Sequence, residues 1–567
     1  MFSYKTSKKY TYLIRSAIVC VCVFLTAVLY AQEAKTPQSA VIDAPAEIPP
    51  VDTAVEVPAL QNYRITIVHY NIKGLTRKYP LSQAVPIDTN RIFASEEALQ
   101  HYLDDLEQQF KNIRIIQTVK IDREYGDTDN QSVIPVILTI AITDTWNFIA
   151  VPYPSFDSNS GFRLKMKIQD FNFAGTLQPL KADLVYRSTE TDNQIVSSSI
   201  DFSLPFKAGI FNLLWDNSFQ IVYAFDKFPK INIGTGLEAS HKFNKHVSLA
   251  FGLSSELAIN DRASSQLSTT GTTEPSQEEG RRSGSPEAQT KTAQPSGLGY
   301  IYPDDRYYFK TAFYLRSPVM ITEVKKFGPL VWTPSMSLTG NWAFDGIQAD
   351  DLKTWSFNWG HELSLSRVNW KANFRKGLAF AVGNTYAYQF YSKHKMSTGF
   401  KTSLTGYYSF INRVGIHGRT QFFYHLFGTT STQAGSALRG ILNKRIDTDT
   451  AFTFNFDIPI RVATLDFQTI TGVAWTRFFN CDVHLVPFLD IALAHDSKTG
   501  RYYHPADGWY AGGMEVIVYP EKMRSIYVRA SLGFDLTELK NLSGLKGYAK
   551  RDGESITEIF IGIGVHY

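Results

Sequence analysis

The sequence is poor in charge, almost free of cysteine, and has no apolar run long enough to cross a membrane as a helix. Only 19% of its 567 residues are Asp, Glu, Lys or Arg, below the roughly 25% usual in soluble domains. Of three cysteines, Cys20 and Cys22 lie within the first 31 residues. Without that segment Cys481 stands alone, which excludes an internal disulfide and a cysteine-based metal site. An excess of one charge is also missing. The net +4 comes from Lys5, Lys8, Lys9 and Arg15, and taking these away leaves 53 basic residues against 53 acidic ones. That balance offers nothing to a nucleic acid. After Trp146 no stretch of 18 or more apolar residues occurs, so no transmembrane helix is expected there. Gly-x-Ser-x-Gly, phosphate-loop and dinucleotide motifs are missing, so neither catalysis nor a cofactor is expected.

What is present begins with a leader. Residues 1–31 place a basic stretch ending at Arg15 before the apolar run from Ser16 to Tyr30, with Ala31 as the last residue before cleavage. This reads as a secretory signal. The alternatives are an uncleaved anchor, for which fifteen apolar residues are short, and a lipid-attached Cys20 or Cys22. Residues 32–61 are proline-rich and without period, which reads as a semi-extended linker in the periplasm.

Residues 62–145 carry the pattern of a small α+β domain. Arg64–Tyr70 alternates like a strand and ends at a turn at Gly74. Ser95 caps a helix running to about Lys111, with Glu96 and Glu97 in its first turn. Ala98, Tyr102, Leu103, Leu106 and Phe110 fall on one face of it. Two strands follow, Ile115–Tyr125 and Val133–Thr143.

From residue 146 to 567 the texture is alternation in segments of 10–14 residues. Leu164, Met166 and Ile168 oppose Arg163, Lys165, Lys167 and Gln169, and Phe452, Phe454 and Phe456 oppose Thr453, Asn455 and Asp457. Aromatics are abundant, with 39 Phe, 30 Tyr and 9 Trp. A sheet crossing lipid must close on itself, since an open edge would leave backbone groups unpaired. Apolar-out, polar-in alternation in an exported chain therefore predicts a transmembrane antiparallel β-barrel. The count is seven segments before residue 260, six between 304 and 427 and five after 450, about eighteen in all. Parity places two long connections on the outer face: the low-complexity stretch at 260–298 and Gly428–Thr450.

Several motifs in order resemble the bacterial outer-membrane assembly and translocation superfamily, which includes BamA, TamA and the two-partner-secretion transporters. Asp170–Gly175 (DFNFAG) resembles the family's Asn-hydrophobic-x-Gly near the start of the barrel. Leu438-Arg439-Gly440-Ile441 resembles its Val-Arg-Gly-aromatic motif in a long inward-folding loop. Asn455-Phe456-Asp457 resembles the Asn-x-Glu of the next strand, and Phe488-Leu489-Asp490 the Phe-x-Asp of the strand after that. A glycine-rich strand (Gly512, Gly513) and the aromatic C-terminus, Tyr567, complete the series. The motif ends here in Ile441 rather than an aromatic, and Asp457 stands where the family has Glu.

The resemblance implies a barrel of 16 strands preceded by a POTRA-like periplasmic domain at 62–145. It also implies that the Arg439 loop folds into the lumen. There Arg439 would fork onto Asp457 and Asp490, with Gly440 clearing the approach; the opposing reading is an exposed loop arginine with two solvated acids. The family's first and last strands pair weakly, and here Gly562 and Gly564 in the last strand, with Pro152 and Pro154 in the first (Asn147–Phe156), weaken both edges of that seam. The implied function is to assemble barrel proteins in the outer membrane or to pass polypeptide across it. Its partners would be outer-membrane lipid, unfolded outer-membrane or secreted polypeptide, and periplasmic accessory lipoproteins and chaperones. The alternative is a passive channel or a structural barrel. An enzyme would need a nucleophile–base set that the sequence does not offer. His495, Asp496, His504 and Asp507 near one hairpin read as surface loop rather than a metal site, and Asp157-x-Asn159-x-Gly161 reads as a tight turn.

Overall fold

The computed structural model describes residues 62–127, 133–157, 161–188, 194–224, 228–260, 305–410, 412–427, 431–536 and 556–563. The expected signal segment and linker, most of the 260–298 connection, Asn159, Gly564 and Tyr567 lie outside these residues.

The first described residues alternate and pair. Strand β1 (Asn62–Lys73) lies between β2 (Ile92–Phe93) and β4 (Val133–Asp144), with β3 (Ile116–Tyr125) on the far side of β4. β1 runs parallel to β4, and β3 antiparallel to it. Two helices cover one face, α1 (Lys78–Ala84) and α2 (Glu96–Asn112). Ser95 caps α2 by accepting from the Ala98 amide at 3.1 Å. Its buried stripe is Leu99, Leu103, Leu106 and Phe110, packed on Ile65, Leu138, Ile140 and Ile142. Ala98, expected on that stripe, is exposed, and Leu99, one residue on, takes its place.

Beyond Thr145 the chain forms a closed antiparallel barrel. Among the described residues seven strands lie between Phe148 and Ile259, six between Tyr307 and Phe427, and five between Thr450 and Ile563, leaving aside the two-residue strand Arg501–Tyr502, which pairs only with the tip of Cys481–Asp496. Two of the eighteen are broken by a proline. Tyr307–Arg316 continues past Pro318 as Val319–Val324, and Thr450–Asp457 continues past Pro459 as Ile460–Leu465. The sixteen strands implied by the family resemblance are therefore corrected to eighteen. Side chains of one parity, among them Phe162, Leu164, Leu184, Trp215, Phe251, Phe313, Trp332, Trp359 and Ile561, stand outward and exposed. Such an apolar belt on a closed barrel is the surface that lipid covers.

Ring closure is uneven. Among the described residues the first strand, Phe148–Asp157, meets the second in ten registered pairs and the last strand, Thr557–Ile563, in two, Phe156–Ile561 and Asp157–Phe560.

The small domain sits at the end of the barrel with the short turns. Asp144 accepts from the Leu75 amide (2.8 Å), the Thr76 amide (2.9 Å) and the Thr76 hydroxyl (2.9 Å). Asn172, fully buried, donates to the same hydroxyl at 2.8 Å, and the Arg77 amide donates to the Gly175 carbonyl at 2.8 Å. Gly175 has φ +74, and a Cβ there would run into the Leu75 backbone. The Asn172–Gly175 motif is thus the joint between domain and barrel.

From this joint the domain reaches turns spread around the rim. Tyr79 donates to Asn212 (2.9 Å), Asn112 to Asn369 (2.9 Å) and Thr145 to the Lys522 carbonyl (2.7 Å). Arg114 lies 4.3 Å over the Trp370 ring and Asp105 pairs with Arg367. These turns follow the second, fourth, tenth and sixteenth strands, so the domain lies across the mouth of the barrel.

Candidate functional site

Residues 431–449 connect two strands at the end of the barrel opposite the small domain, yet nine of the nineteen are buried and only four are exposed. The segment folds inward as two short 3-10 turns, Ala434–Ala437 and Asn443–Arg445. Leu438, Ile441 and Ile446 pack against Ala451, Ala492 and Ala511 on the lumen wall. Small wall residues make room for the loop. Gly533 and Gly440 approach so closely that a Cβ on Gly440 would stand 2.6 Å from the Phe534 nitrogen, and Gly440 has φ +99. Both demands, space and a positive φ, select glycine.

The loop brings Arg439, 4% exposed, to carboxylates on two adjacent strands. Its backbone amide donates to Asp490 Oδ2 at 2.8 Å and its Nε to the same oxygen at 3.0 Å. One terminal nitrogen, Nη2, donates to Asp490 Oδ1 at 2.8 Å and to Asp457 Oδ1 at 2.5 Å. The guanidinium lies 3.9 Å over the Phe488 ring. Asp490 is fully buried, and Asn455, its cross-strand neighbour, donates to the Ala437 carbonyl at 2.7 Å. The Gly440 amide donates to Glu558 on the last strand at 2.7 Å.

A fork on one carboxylate with a second acid at its tip is a strong, directional arrangement. It is also one in which each charge depends on the others, because an unpaired charge in this seat costs several kcal/mol, on the order of 3–5.

Arg439, Gly440, Asp457 and Asp490 are therefore in mutual reach, while Gly562 belongs to a different contact. Its Cβ would stand 2.7 Å from the Phe560 ring, which itself lies 4.1 Å beneath the Arg529 guanidinium. Glycine there gives an aromatic ring a flat seat on the last strand.

The sequence reading missed the rest of the network. Glu515 stands 3.9 Å from Arg439 and 3.3 Å from Arg529, and Arg445 pairs with Asp535 at 3.3 Å. All five are buried, on strands near the end of the chain or on the loop. Alternation places Glu515, Arg529 and Asp535 in the lumen, and that signal was available; their pairing depends on register. The four residues near 500 are held by local loop contacts. His495 bonds to Asp449 (2.9 Å) and stacks on Tyr502, Asp507 pairs with Arg501, Asp496 accepts from the Lys498 amide (2.8 Å), and His504 accepts from the Ala506 amide (3.2 Å). Among the described residues no three His, Cys, Asp or Glu side chains converge on one point.

On the wall across from the loop, Asp201, Ser203, Asp216, Ser218, Glu256 and Lys310 line a cavity of about 610 Å3. The lumen left beside the loop is thus walled by a mixture of polar and charged side chains with a few apolar ones, among them Phe202 and Leu253.

No protein-family model matches the chain, and a search of curated proteins found no match. Among solved structures the chain is similar to CdiB from Escherichia coli, at 10% identity over 88% of this chain and 76% of that one, with a TM-score of 0.43. It is similar to CdiB from Acinetobacter baumannii at 10% identity over 88% of this chain and 73% of that one, TM-score 0.42. It is also similar to BamA from Haemophilus ducreyi lacking POTRA domains 1–3, at 10% identity over 88% and 84%, TM-score 0.36.

Proposed function

We propose that this chain is an outer-membrane protein of the assembly and translocation superfamily, which inserts β-barrel proteins or passes polypeptide across the outer membrane. The observation that carries this reading is the inward loop fixed by Arg439 to Asp457 and Asp490. A pore that only conducts needs neither that pin nor a domain lying across its mouth. Further support comes from the seam, which among the described residues is held by two registered pairs, Phe156–Ile561 and Asp157–Phe560. An extended client could add a strand there, or along β3, which is the outer strand of the small sheet. In this reading the small domain is POTRA-like and faces the periplasm. The partners are unfolded outer-membrane or secreted polypeptides, membrane lipid, and periplasmic lipoproteins or chaperones. No bond chemistry is involved, and the free energy comes from client folding and lipid burial.

One observation favours a passive channel instead: the polar cavity of about 610 Å3 beside the loop. Planar-bilayer recording separates the two. The intact protein is expected to show low or intermittent conductance, because loop and domain obstruct the lumen. A steady, porin-like conductance in the intact protein would overturn the assembly reading.

A further inference from the structure

At the mouth that carries the small domain, most hairpins close tightly, as at Ala372–Asn373 and Lys325–Phe327. The turn from Asp466 to Asn480 does not. It folds into a short helix, Phe467–Thr471, and a 3-10 turn, Ala474–Phe479. Its polar groups are turned onto one another. Asp466 accepts from the Gln468 and Thr469 amides (3.1 and 3.2 Å), Asn480 donates to Asp466 (3.2 Å) and accepts from the Phe467 amide (2.9 Å), and the Thr471 and Thr476 hydroxyls meet at 2.7 Å. With these satisfied internally, the outer face is apolar: Ile470 is 65% exposed, Trp475 67% and Phe479 52%, with Val473 and Phe478 beside them. Arg477 is exposed in their midst.

This face continues the barrel's own outer surface. The outward cross-strand pairs leading to the turn are Ile460–Leu485, Ala463–Val483 and Leu465–Cys481, all apolar, and Val462 beside them is 55% exposed. The polar residues Arg461, Thr464, Asp482 and His484 fall on the opposite parity, toward the lumen. Apolar surface therefore passes from the lipid-covered belt onto the turn, with Asp466 at its start the one charged residue on the way, its carboxylate taken up by the Gln468 and Thr469 amides. Aromatic rings around one cation are the side chains that settle at a membrane–water boundary, the rings among acyl chains and the cation at phosphate.

We propose that the 466–480 turn is an interfacial anchor that seats this rim of the barrel in the lipid leaflet, with Trp475 and Phe479 at the acyl boundary and Arg477 on lipid phosphate. The inference rests only on the barrel being set in a membrane, and it stands whether the protein assembles others or conducts.

The test uses the full chain in liposomes of phosphatidylethanolamine and phosphatidylglycerol, as the parent and as Trp475→Phe. Heat-dependent gel mobility checks that both are folded, and the difference in their emission isolates Trp475. Lipids brominated close to the glycerol are expected to remove most of that difference signal, and acrylamide in the water to remove little of it. Arg477→Glu is expected to reduce the bromolipid quenching. If acrylamide quenches Trp475 and bromolipid does not, the turn faces water, its apolar surface is left for a protein partner, and the proposal fails. Quenching of Trp475 by bromolipid that Arg477→Glu leaves unchanged would overturn the phosphate contact.

Discussion

Replacing Arg439 by alanine removes the centre of a buried network, and its cost follows from what stays behind. The substitution breaks the side-chain bonds to Asp490 at 3.0 and 2.8 Å and to Asp457 at 2.5 Å, while the backbone bond to Asp490 can persist. Asp490 and Glu515 remain almost fully buried without the guanidinium between them. Breaking a buried pair from one side costs about 3–5 kcal/mol, which is roughly two to three and a half powers of ten in the equilibrium holding the loop inward. The readouts are the temperature at which the barrel loses its compact mobility in detergent gels and the rate of protease cleavage within 431–449. Both should change strongly while export is unaffected. Arg439→Lys should fall between, since an ammonium keeps the charge and loses the fork. Adding Asp490→Asn to Arg439→Ala should recover part of the loss, because it removes the stranded charge. An Arg439→Ala protein that keeps the parental transition temperature and a protected loop would refute the reasoning.

Other outcomes follow from the same structure. Gly440→Ala, which meets both a positive φ and a contact at 2.6 Å, should expose the loop to protease although it leaves every charge in place. Asn172→Ala removes the bond to the Thr76 hydroxyl at the joint, a loss of about 1–3 kcal/mol, and should speed proteolytic separation of the small domain without lowering the barrel's own transition. Arg114→Ala, which takes away the ring contact with Trp370, should loosen the domain from the mouth and raise bilayer conductance; unchanged conductance would mean that the domain does not obstruct the lumen.

What the sequence made legible was local. Period-two alternation is a property of each segment alone, so the eighteen strands could be counted in the right three groups, and the count from the residues is the one the structure bears, rather than the sixteen implied by resemblance. The helix cap at Ser95 was legible for the same reason. The carboxylates at 457 and 490 could be placed in the lumen by parity. Glu515, Arg529 and Asp535 have the same parity signal, but which of them reaches Arg439 or Arg445 depends on register across strands far apart in sequence. The Asn172–Gly175 segment showed a motif without showing its role, because its partners, Thr76 and Leu75, lie nearly a hundred residues earlier. Gly562 looked like a weak point in a strand, and only the Phe560 ring beside it supplies the packing reason.

The central claim is that this barrel handles polypeptide in the outer membrane. Depleting the protein in its own host and quantifying the outer-membrane and exported proteins tests it most directly. A broad fall in barrel proteins, or the loss of one exported protein, is the predicted result. An outer-membrane and exported proteome that stays unchanged after depletion would contradict it.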